Sequence, residues 1–90
     1  MAQVIWTIEA LEDLASIRAY IAQFNPAAAN RLADRLLSAG DCLPAFPERG
    51  PRASGDTRRL SSVWPYIIQY RVVADKVYLV GIRHGAREPE

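Results

Sequence analysis

The dipeptide Asn25-Pro26 does most to limit what this chain can fold into, because it interrupts two stretches that both carry helical periodicity. Before it, Ala10, Leu14, Ile17, Ile21 and Phe24 recur at steps of four and three, with Glu12, Asp13 and Arg18 on other faces. After it, Ala29, Leu32, Leu36, Ala39 and Leu43 form a second apolar stripe. Asn is a good helix N-cap and Pro is tolerated at the first helical position, so the second helix restarts at once. A connection this short folds two helices back on each other as an antiparallel hairpin.

The rest of the chain reads as strands around that hairpin. Val4, Ile5, Trp6 and Thr7 are β-branched and aromatic, which predicts a short first strand, with Trp6 in the core and Thr7 as N-cap of the first helix. Pro44, Pro47, Gly50, Pro51 and Gly55 break all periodicity, so residues 44–56 are expected to form a loop. Thr57 to Ser62, Tyr66 to Val73 and Val77 to Arg83 follow as strands, the last two joined by a turn at Ala74-Asp75-Lys76. Within Tyr66 to Val73, the side chains of Ile68, Tyr70 and Val72 point one way, and those of Ile67, Gln69, Arg71 and Val73 the other. The expected fold is α+β, in the order β-α-α-β-β-β, with the helical hairpin on one face of a mainly antiparallel sheet. Residues 1–90 make one domain, since a chain of this length has nothing left for a second core. Its stability should be roughly 4 to 13 kcal/mol, so a tightly bound partner would matter to it.

Charge is unevenly spread. Residues 1–45 carry three Arg against five acids, and residues 46–90 carry eight basic groups against five. All eight lie between Arg49 and Arg87, where only Asp56 and Asp75 oppose them. Ten of the eleven basic residues are Arg, the side chain suited to bidentate contact with carboxylate or phosphate, although high genomic G+C content would give the same bias. Arg58 and Arg59 are adjacent, so in a strand one points to each face. Cys42 is the sole cysteine and His84 the sole histidine, which leaves no intrachain disulfide and no recognised zinc spacing; neither a metal nor a cofactor is expected. The N-terminus lacks the blocks of a signal peptide and no apolar run is long enough to span a bilayer, so no membrane association is expected and the cytoplasm is the expected compartment.

The ordered set of Trp6 in its strand, Ala10, Asp13, Leu14, Ile17, Tyr20, Ile21 and Ala22 in the first helix, Asn25-Pro26, Phe46 to Gly50, Arg58 to Leu60, Tyr66 to Val72 and Ile82 to Arg87 resembles the RelE/ParE superfamily, on the side of its ParE branch. The resemblance implies a toxin of a type II toxin–antitoxin or plasmid-stabilisation system, neutralised by a ParD-like antitoxin. ParE-like members are reported to block growth by inhibiting DNA gyrase without hydrolytic chemistry; RelE-like members are ribosome-dependent ribonucleases. The expected target-binding residues are Arg58, Arg59, Arg71, Arg83 and Arg87. Tyr20, Phe24 and Trp64 are expected to form an exposed apolar groove for the antitoxin. Direct nucleic-acid binding is expected only through the antitoxin complex, because the chain lacks the interleaved aromatics of single-strand RNA binders.

The alternatives are a RelE-type mRNA endonuclease using Arg71, His84 and Arg87, and an inactive homologue kept for antitoxin binding. Such a nuclease needs a cation on the scissile phosphate and a proton-transfer group beside it. Arg71 and Arg87 match positions of that set. The last tyrosine, Tyr78, lies inside a strand and not near the C-terminus, and the only lysine, Lys76, is in a turn, so the set is incomplete.

Overall fold

The computed structural model describes residues 3–45, 47 and 50–85. Strand β1 (Gln3–Trp6) leads into helix α1 (Ile8–Ala22). Thr7 makes that junction: its hydroxyl accepts from Ala10 N at 3.2 Å and donates to Leu79 O at 2.7 Å, so one side chain caps the helix and ties its start to the last strand. Helix α2 (Pro26–Asp41) begins as the sequence dictates, with Asn25 Oδ1 accepting from Ala28 N at 3.0 Å and Pro26 in the first turn. Phe24 falls just beyond α1, and Leu43 opens a short 3-10 turn, Leu43–Ala45, while remaining fully buried.

Four further strands follow: β2 (Arg52–Ser54), β3 (Thr57–Val63), β4 (Tyr66–Val73) and β5 (Lys76–His84). The sheet order is β1-β5-β4-β3-β2, antiparallel except for β1, which runs parallel to β5. The expected pairing of the last two long strands is therefore present. β2 departs from the expected loop over residues 44–56: the chain turns at Gly55-Asp56 and pairs Arg52 with Arg58 and Ser54 with Thr57. Three residues between Pro51 and Gly55 offer too little alternation for a strand to be read from sequence.

The core lies between the helical hairpin and one sheet face. Ala10, Leu14, Ala33 and Leu36 meet Leu60, Val63, Ile68, Tyr70, Val77, Leu79 and Ile82 there, and Trp6 packs half-buried against its edge. Among the described residues no helix covers the opposite sheet face.

Candidate functional site

Strand alternation sorts the chemistry-bearing side chains between these two faces. On β4, Ile68 and Tyr70 enter the core, so Ile67, Gln69, Arg71 and Val73 project from the helix-free face. Cross-strand neighbours share a face. Arg59, paired with Gln69, and Thr57, paired with Arg71, therefore lie with them, whereas Arg58, paired with the fully buried Tyr70, lies on the helix side.

A β-bulge decides the rest. Gln69 pairs with Gly81 but Tyr70 pairs with Leu79, so Val80 is an extra residue in β5. The bulge reverses the parity of β5 beyond it. Val77 and Leu79 face the core before it, and Ile82, paired with Ile68, faces the core after it. Arg83, paired with Ile67, is thereby delivered to the helix-free face, and His84, paired with Tyr66, to the helix side.

The helix-free face thus presents Arg59, Arg71 and Arg83 around Gln69, with Tyr78 directly across from Arg71. Arg71 and Arg83 are exposed, and Arg71 reaches Asp56 at 3.6 Å, an exposed ion pair worth little in stability. Arg83 makes no ion pair among the described residues.

The two adjacent arginines divide their work as strand geometry requires. Arg58 Nη1 donates to Gly50 O at 2.8 Å, while Gly50 N donates to Tyr70 Oη at 2.8 Å. Gly50 is needed at this point, since a Cβ would come within 2.2 Å of the Arg59 carbonyl oxygen. The loop is thereby fastened to β3 and to the central strand β4, and its Pro47 lines a small pocket with Arg52, Asp56 and Val72.

His84 stands apart from this cationic face. Its ring meets Tyr66 edge-on, with centroids 5.2 Å apart and planes at 83°. Its Nδ1 is buried without a hydrogen-bond partner among the described residues. Tyr66 and Arg71 are separated along β4 by roughly 16 Å and point to opposite faces, so His84 and Arg71 cannot converge on one phosphate. Arg87 lies outside the described residues. Tyr78, which the sequence leaves aside because it is mid-strand, carries a phenol that shares a face with Arg71 and is its neighbour on β5. Its alternation with the apolar Val77 and Leu79 is the signal that places it there.

Of the three aromatics expected to share a groove, Tyr20 and Phe24 do meet, edge to face at 5.5 Å, and remain 54 % and 73 % exposed. Trp64 packs against Gly85 and Ile67 at the end of the helix-free face. The outer side of the helical hairpin has its own groove of about 570 Å³, lined by Leu11, Leu14, Ala15, Ala33 and Leu37 and crossed by a hydrogen bond from Arg18 Nε to Asn30 Oδ1 at 3.0 Å. Exposed Ile8 and Leu11 extend the apolar surface of α1. Among the described residues no three His, Cys, Asp or Glu side chains come close enough to hold a metal ion. No helix there is long and apolar enough to cross a membrane.

Comparison with known proteins gives this arrangement a family. The profile described as ParE toxin of type II toxin-antitoxin system, parDE, matches residues 4–89. A Caulobacter vibrioides protein named Toxin RelE2 is 53 % identical over 87 residues, covering 97 % of this chain and 99 % of that protein. Toxin RelE3 of the same organism is 35 % identical over 79 residues, covering 84 % and 86 %. A chain from the solved structure titled Chromosomal ParDE TA system from P. aeruginosa superposes with a TM-score of 0.78 at 22 % identity, covering 93 % of this chain and 95 % of that one, which shows the shared fold.

Proposed function

Because the chain belongs to the ParE toxin family of type II toxin–antitoxin systems, we propose that it arrests growth by binding DNA gyrase through the helix-free face of its sheet. A ParD-like antitoxin neutralises it by covering the exposed apolar surface of the helical hairpin. The observation that carries the reading is the separation of Arg71 from His84: Arg59, Arg71 and Arg83 stand on one sheet face and the sole imidazole on the other. Acid–base catalysis requires its partners within hydrogen-bond reach of the same reacting atoms. A face of arginines without that imidazole is suited to holding a partner through charge-assisted hydrogen bonds.

Arg59, Arg71 and Arg83 are the contact residues in this reading, joined by Arg87 in the C-terminal tail. Arg58 supports them from behind, by fixing the Gly50 loop to the sheet. Tyr20 and Phe24 belong to the antitoxin side, as exposed aromatics on the helical layer. A specific complex of this kind buries more than about 1,000 Å² in total.

One feature favours a second reading. Arg71 and Tyr78 share a face and are cross-strand neighbours, so a ribosome-dependent mRNA endonuclease would run through Tyr78 in place of His84. The first reading is tested with purified components: the toxin added to gyrase and relaxed plasmid should suppress supercoiling, and the cognate antitoxin should restore it. Undiminished supercoiling at a large excess of active toxin would remove gyrase as the target.

A further inference from the structure

Trp64 is held in an unusual way for so exposed an aromatic. Gly85 N donates to Pro65 O at 2.7 Å, which clamps the end of β5 to the β3–β4 turn. The indole lies where a side chain at residue 85 would be: a Cβ on Gly85 would stand 2.9 Å from Trp64 Cζ3 and 3.0 Å from Ile67 Cδ1. Ile67 is only 9 % exposed, yet it lies outside the core cluster, on the helix-free face. Trp64 therefore caps a small apolar cluster separate from the core while its own ring remains 63 % exposed. The cross-strand neighbour of Ile67 is Arg83, exposed and without an ion pair among the described residues.

We propose that Trp64 and Arg83 together form the anchor by which this toxin grips its protein target, and that they receive an acidic segment carrying an apolar side chain. The proposal deepens the functional reading above and rests on it. Two properties of the site select that occupant. The face is cationic, with Arg59, Arg71 and Arg83 projecting from it, so its complement is a carboxylate-bearing surface. The indole adds a flat apolar plate that is already immobilised against Gly85 and Ile67, so docking on it costs little further side-chain ordering. Trp and Arg are among the residue types in which the binding energy of protein interfaces is most often concentrated. Trp64 accordingly serves the target, while Tyr20 and Phe24 serve the antitoxin.

The experiment compares inducible wild type, Trp64→Leu, Trp64→Ala and Arg83→Glu in cells lacking the antitoxin gene, with purified complexes of each variant and the antitoxin measured in parallel. Leucine keeps Ile67 covered but removes the indole, so it separates an anchor from a mere lid. Trp64→Leu and Arg83→Glu should each need about tenfold more toxin for the same growth arrest, with thermal stability and antitoxin binding close to wild type. If Trp64→Ala unfolds, the other two variants decide. Wild-type potency in both Trp64→Leu and Arg83→Glu would overturn the anchor, as would a parallel loss of antitoxin binding, which would assign this patch to the antitoxin. Quenching of Trp64 fluorescence by a single-stranded oligonucleotide, absent in Trp64→Leu, would overturn it in favour of a nucleic-acid occupant. Failure of wild type itself to arrest growth would refute the toxin reading, a result distinct from any of these.

Discussion

Tyr70 and Gly50 are joined by a buried hydrogen bond, 2.8 Å from Gly50 N to Tyr70 Oη, although twenty residues separate them. The contact fastens the loop before β2 to the centre of the sheet, and Arg58 secures the same glycine from its carbonyl side. Tyr70→Phe leaves the Gly50 N–H buried and unpaired, at a cost of about 1 to 3 kcal/mol. In a domain of this size the melting midpoint should fall by at least about 4 °C, measured by calorimetry, with growth arrest retained.

Asp13 closes the other edge of the sheet. β1 ends at Trp6, and beyond it Asp13 Oδ2 accepts from Ile82 N at 3.0 Å, next to the bulge that sets the facing of Arg83. Asp13→Ala should cost about 1 to 3 kcal/mol in urea unfolding, since it strands a partly buried amide. Because the bond supports the strand that carries Arg83, growth arrest should weaken as well, a coupling that Tyr70→Phe should not show.

The hairpin and the long strands were legible because their signals are local. Thr7 and Asn25 cap the helices they precede, Pro26 sits in a first turn, and Ala10, Leu14 and Ile17 of the first stripe and Leu32, Leu36, Ala39 and Leu43 of the second meet in or against the core, whereas Phe24, at the end of the first stripe, is exposed beyond α1. The facing of β5 was not legible. Counting by twos from Val77 and Leu79 puts His84 on the same side as Val80 and away from the core, and only the pairing with β4 reveals that Val80 is an extra residue. The position of Trp64 was hidden for a related reason, since it depends on the missing side chain of Gly85, twenty-one positions away.

Tyr20 and Phe24 expose an aromatic pair on the helical layer, where a partner helix or strand gains the most apolar burial. Replacing both with Ser should weaken antitoxin binding by about 2 kcal/mol or more in titration calorimetry. Toxicity without antitoxin should be unchanged. Unaltered antitoxin affinity would move the contact to another part of the surface.

The two mechanisms separate at His84 and Tyr78. His84→Ala should leave growth arrest intact, because the ring packs on Tyr66 away from the cationic face. Tyr78→Phe should also be tolerated by a protein-binding toxin. A nuclease using that phenol would lose roughly 10² or more in cleavage rate, read by primer extension on cellular mRNA.

The most direct measurement is pulse labelling within minutes of induction, following thymidine and methionine incorporation side by side. A gyrase-directed toxin should halt thymidine incorporation first and induce DNA-damage signalling while methionine incorporation continues. An immediate collapse of methionine incorporation, with ribosome-dependent mRNA cuts and unaffected replication, would contradict the account and assign the Arg71–Tyr78 face to RNA cleavage.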